Sequence, residues 1–178
     1  MKVHTYEKAF LVVGLAVLVA CGGALVYAST LGIHLPGKAG LLDPAQVAQT
    51  APFDNPGVFQ TGPNQYTAVI VARAWAFSPA ELHVPVGGEI TFIATSTDVI
   101  HGLNVESTRL NMMLIPGQIS KNTYTFREPG EYLLICHEYC GLGHHTMAGK
   151  VVVEDAATFT APSASPNDAH EEHEENED

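Results

Sequence analysis

A chain of 178 residues with 46% hydrophobic content can bury the core of one ordinary domain plus appendages. Its formal net charge of −11 argues against nucleic acid as a partner and leaves membranes and proteins.

Residues Ala9 to Ile33 form a run of 25 without a charged side chain. At about 1.5 Å per residue in a helix, that exceeds the roughly 30 Å hydrocarbon core of a bilayer. A single transmembrane helix is expected. Lys2 and Lys8 precede it, whereas only Lys38 follows before Asp43, so the positive-inside tendency puts the N-terminus in the cytoplasm and everything after His34 outside. Leu18 to Gly22 also resembles a bacterial lipoprotein cleavage site, with Cys21 as the lipidated residue. The apolar run continues twelve residues past Cys21, which a cleaved signal does not need.

Residues 35–65 are rich in Pro, Gly and Asn and read as a linker packed along a domain. A short helix over Pro44 to Gln49 is expected inside it, with Asp43 as N-cap and Pro44 at the first position. From Tyr66 onward, short β-branched and aromatic runs recur between turn residues. They are Tyr66–Trp75, Glu81–Val84, Glu89–Thr95, Ile100–Glu106, Met112–Ile115, Ile119–Phe126, Glu131–Cys136 and Lys150–Glu154. Alternation in Glu89 to Ile93 and Thr123 to Phe126 points to half-buried antiparallel strands. The fold class expected is therefore mainly β, a sandwich or barrel over 66–156. Residues 157–178 carry seven acids and no Lys or Arg, and are expected to be a disordered tail. His170 and His173 within it read as solvated. Residues 54–155 hold ten acidic and five basic side chains, a surface suited to a basic or neutral protein partner.

The most informative stretch is Cys136, His137, Glu138, Tyr139, Cys140, Gly141, Leu142, Gly143, His144, His145, Thr146, Met147. Two thiols, an imidazole and a thioether at spacings of four, four and three are the soft and borderline donors that copper prefers. A disulfide between Cys136 and Cys140 leaves His144 and Met147 unexplained, and zinc has little use for a thioether. A single blue copper needs one Cys, so the second is surplus there. A remote histidine is needed to complete the site. His101, in Asp98-Val99-Ile100-His101-Gly102-Leu103, is the best candidate, ahead of His83 in a regular strand. His137 and His145 adjoin donors and are expected to point away, and His4 and His34 flank the membrane segment.

These motifs, DVIHGLNV and CHEYCGLGHHTM, resemble subunit II of cytochrome c oxidase, the haem-copper terminal oxidase. The likeness extends from the N-terminal helix to about Val153. The single helix and the segments QTGPNQYT and CGLGHHTM look like its B-type subclass. The resemblance implies a cupredoxin-like Greek-key β-sandwich behind one N-terminal transmembrane helix, and a binuclear copper centre, CuA, bridged by Cys136 and Cys140. By position, His101 and Met147 would complete one copper, and His144 with the backbone carbonyl of Glu138 the other. Many relatives also bind magnesium through the carboxylate at the position of Glu138; the B-type likeness weighs against that role. Trp75 matches the aromatic patch where electrons enter from soluble cytochrome c, with a buried core tryptophan as the competing reading.

The implied activity is that of the electron-transfer subunit of a proton-translocating cytochrome c oxidase. It would sit in the inner membrane of a prokaryote with its C-terminal domain on the periplasmic side. Electrons would pass to haem in subunit I, which would carry the oxygen chemistry and proton pumping. A CuA subunit of a nitric oxide reductase could share every donor, and a periplasmic copper carrier is the alternative from another class.

Overall fold

The computed structural model describes residues 3–30 and 37–160, in two units that divide at Leu35. The first unit is one α-helix, α1 (Val3–Thr30), long and apolar enough to cross a membrane. It runs unbroken through Cys21, which is exposed. Of the tail expected over 157–178, residues 161–178 lie outside the described residues, as does His34; the start of that segment is not a free tail, since Phe159 packs edge-on to Tyr66 against the core.

The second unit is a two-sheet sandwich. Its strands are β1 (Gly37–Leu41), β2 (Gly57–Gly62), β3 (Gln65–Arg73), β4 (Ala76–Ser78), β5 (Glu81–Pro85) and β6 (Glu89–Ser96). They continue with β7 (His101–Val105), β8 (Asn111–Leu114), β9 (Gln118–Tyr124), β10 (Gly130–Ile135) and β11 (Ala148–Glu154). One sheet runs β1-β9-β6-β3-β2, with β4 also on β3, and the other runs β5-β11-β10-β7-β8. Among the described residues, β3–β6 and β5–β11 are the parallel pairs and the rest are antiparallel. The chain crosses between sheets at β4–β5, β5–β6, β6–β7, β8–β9 and β9–β10, giving the Greek-key sandwich of cupredoxins expected from the resemblance.

Alternation dictates which face is buried. In β6, Ile90, Phe92 and Ala94 point inward while Glu89, Thr91 and Ile93 do not. The inward residues meet Ala68, Ile70, Leu82, Leu103, Leu114, Phe126 and Val151 in the main core between the sheets. Phe126 anchors one end, edge-on to Phe92 and Tyr124.

The stretch 35–65, read as a linker, holds more structure than its composition announces. The helix over Pro44–Gln49 is present as a 3₁₀ helix, and Asp43 caps it by accepting from the Ala45 amide at 3.0 Å. The correction is that β1 and β2 flank it as edge strands, pairing β9 and β3. With them comes a second cluster on the outer face of the first sheet. Val47, Phe53 and Phe59 there cover Val69 and Val71. Leaving those two valines in water is costly, and the preceding segment removes them from it.

Candidate metal centre

The β10–β11 hairpin pairs to its tip: Ile135 opposes Ala148, and beyond them the Cys136 amide donates to the Met147 carbonyl at 3.2 Å. Residues 136–147 are therefore one loop closed at its base by backbone hydrogen bonds. A short 3₁₀ helix, His144–Thr146, turns the chain back toward the stem. His101 is the first residue of β7, whose neighbour β10 leads into Cys136.

Loop and strand bring their donors together. Cys136 Sγ and Cys140 Sγ are 3.8 Å apart as free thiols, far beyond disulfide bonding distance. His101 Nδ1 lies 3.8 Å from Cys136 Sγ, and the Glu138 carbonyl oxygen lies 3.2 Å from it. Around Cys140 Sγ are His144 Nδ1 at 3.6 Å and Met147 Sδ at 3.7 Å. Donor atoms of His101, Cys136 and Cys140 all lie within 4.8 Å of one another, an arrangement that could hold a metal ion. Each cysteine is 7% exposed, Met147 2% and His101 0%, so water is largely excluded. Burial, and then the sulfur of Cys136 beside it, push the Cys140 thiol up to about 11. A cation among these sulfurs would reverse that preference, because the thiolate is the metal-binding form.

Asp98, in the turn between β6 and β7, organises the surroundings. Its Oδ1 accepts from His101 Nε2 at 2.9 Å, turning Nδ1 toward Cys136, and its Oδ2 accepts from the Ala74 amide at 2.6 Å. Burial acts to raise the pKa of Asp98. The hydrogen bonds from His101 and from the Ala74 and Val99 amides outweigh it and hold the carboxyl below its ordinary value. Asp98 therefore ties the histidine to the segment that carries Trp75.

Trp75 is 44% exposed, not buried in the core, and its indole N–H donates to the Cys140 carbonyl at 3.1 Å. The ring lies so close to the loop that a Cβ on Gly143 would stand 2.5 Å from it. Only glycine permits that approach.

Of the sequence candidates, His101, Cys136, Cys140, His144, Met147 and the carbonyl of Glu138 come together, and Trp75 rests against their loop. The carboxylate of Glu138 is not in the cluster; its Oε1 lies 3.8 Å from His137 Nδ1. The His137 ring covers Gly102, where a Cβ would stand 2.6 Å from it. His83 is half-exposed on β5, between Glu81 and Glu154. Asp98 escaped sequence reasoning, whereas the glycines at 141 and 143 are expected from the sequence to let the loop turn tightly, and Gly143 also admits the Trp75 ring. The signal for Asp98 was local: Ser96 and Asp98 bracket a turn in which side chains hydrogen-bond to the backbone, and such a turn fixes the residue that follows it.

A family model described as cytochrome c oxidase subunit II, periplasmic domain, matches residues 77–156. A cytochrome c oxidase subunit 2 of Thermus thermophilus is 44% identical over 155 residues, covering 84% of this chain and 92% of that one. A second such subunit from the same species is 48% identical over 128 residues, covering 71% and 95%. Among solved structures, a heme-copper terminal oxidase dimer contains a chain that superposes with a TM-score of 0.69 at 35% identity. The match covers 84% of this chain and 99% of that one.

Proposed function

The chain belongs to the cytochrome c oxidase subunit II family, and on that premise we propose that it accepts electrons from cytochrome c at a binuclear copper centre and passes them to haem in subunit I. The observation that carries this reading is the pair of buried, unlinked thiols 3.8 Å apart, each with two further donors at its side. A single blue copper uses one cysteine and would leave the second thiol without a role.

The donor set fits copper: thiolates and a thioether are soft, imidazole is borderline, and no hard carboxylate stands among them. Cys136 and Cys140 would hold both ions, with His101, His144, Met147 and the Glu138 carbonyl completing the set. Bound copper supplies one-electron chemistry at a potential that such donors set. The chain's own part is preparation. Asp98 holds His101 in one tautomer and orientation, the hairpin stem fixes the cysteine that begins the loop, and the buried walls exclude water. Trp75 presents an exposed indole edge bonded directly to the backbone of Cys140, which suits it to the point where electrons enter.

The helix and the periplasmic family model fit a single-pass membrane protein with its domain outside. We place it in the prokaryotic inner membrane. The reading is tested by loading the unit that starts at Pro36 with copper. Two coppers per chain are expected, with an electron paramagnetic resonance hyperfine pattern showing one unpaired electron shared by two copper nuclei. A single copper with the pattern of one nucleus would overturn it.

A further inference from the structure

β7 runs away from the loop at His101 to end at Val105, and β10 starts at Gly130 and runs toward Cys136. The turn after β7 and the connection before β10 therefore lie at the opposite end of the sandwich, about 15–20 Å from the sulfurs. A concavity of about 790 Å³ opens there, lined by residues 107–109, 123–125 and Arg127. Its size is that of a small-ligand site.

Its polar lining divides into two kinds. Some groups are used by the fold. The Thr108 hydroxyl donates to the Val105 carbonyl at 2.7 Å and accepts from the Leu110 amide at 3.0 Å, Thr123 pairs with Thr91, and the Tyr124 ring packs on Phe126. The others are not: among the described residues, Arg109, Arg127, Ser107 and Thr125 make no side-chain hydrogen bond or ion pair. Lys150 shows the contrast, lying between Glu81 and Glu131. Glu106 and Glu128 adjoin these elements in sequence and pair with neither arginine. Two unpaired guanidinium groups lining one depression of an acidic protein offer their N–H donors to an anion.

We propose that this concavity binds a phosphate-bearing anion through the guanidinium groups of Arg109 and Arg127 and the hydroxyls of Ser107 and Thr125. A phosphate offers more charged acceptor oxygens than a carboxylate. It serves two guanidinium groups and still accepts from hydroxyls, which matches the four unused donors. The site is independent of the copper reading, since no group in it touches the loop.

The test uses the full chain in neutral detergent, titrated at constant ionic strength with inorganic pyrophosphate and, separately, with glycerophosphoglycerol. The second probe is the phosphodiester headgroup of an anionic lipid. Binding is followed by calorimetry and by the arginine side-chain signals in nuclear magnetic resonance. Saturable binding of at least one probe is expected, weakened about tenfold or more by Arg109→Gln and by Arg127→Gln. Arg73→Gln, which removes an exposed arginine on β3, should leave it unchanged. Preference for pyrophosphate identifies a free phosphate as the natural ligand, and preference for the phosphodiester identifies a lipid headgroup. No saturation with either probe, or equal weakening by Arg73→Gln, would overturn the proposal. Unchanged circular dichroism of each variant separates lost binding from lost folding.

Discussion

Asp98 does more for the proposed centre than any residue outside the donor set. One carboxylate oxygen orients His101 and the other holds the Ala74 amide, so the side chain links a donor to the segment bearing Trp75. Asp98→Ala removes both restraints and leaves the fully buried imidazole without its partner. Outer-sphere partners of metal-bound histidines typically contribute about 10–100-fold in affinity, and a loss of that size in copper affinity is expected here. Competition for copper against a chelator of known affinity measures it; an unchanged affinity would mean that β7 alone orients His101. The proposed donors Cys136, Cys140, His144 and Met147 were legible from their type and spacing, and the Glu138 carbonyl only from the resemblance. Asp98 was not, because its importance comes from a turn that makes residues 74, 98 and 101 neighbours, and no spacing encodes that.

The strands that sequence periodicity revealed, β3, β6 and β9 among them, either alternate or form long apolar runs, so their side chains report the burial that fixes them. Those it missed share a different physics. β1 is Gly-Lys-Ala-Gly-Leu, β2 has glycine at both ends, and β4 has three residues. Backbone pairing to a neighbour already in place makes them strands, and composition does not show it. Their energetic weight is large nonetheless. Burying Val47, Phe53 and Phe59 is worth about 1.5–3 kcal/mol each, together about 5–9 kcal/mol. That is comparable with the total stability of about 5–15 kcal/mol usual for a domain. A fragment beginning at residue 66 is therefore expected to remain unfolded by circular dichroism and denaturant titration, while one beginning at residue 37 unfolds cooperatively. Cooperative unfolding of the shorter fragment would show that the outer cluster is dispensable.

On the scale of the whole molecule, a group of exposed apolar side chains lies at the metal loop of a chain that is acidic overall. Trp75, Val99, Ile100, Tyr139 and Leu142, all on or beside the metal loop, are exposed, while the chain as a whole carries a net charge of −11. A donor that docks over this face meets mostly uncharged side chains, and the acidic surround acts only as a long-range field. Raising ionic strength from low to physiological is then expected to slow electron uptake from a basic cytochrome by less than about tenfold, as stopped-flow kinetics would show. A steeper fall would place the docking surface elsewhere. The hairpin stem has one more consequence, for descent. Cys136, Glu138, Cys140, His144 and Met147 all lie between two adjacent paired strands, and His101 alone comes from outside. On the proposed reading, a change of length or lettering in those twelve residues would alter how many metals the protein carries, while the register of β10 and β11 is set outside them. Metal stoichiometry can therefore evolve as a cassette, independently of the scaffold that inherits it.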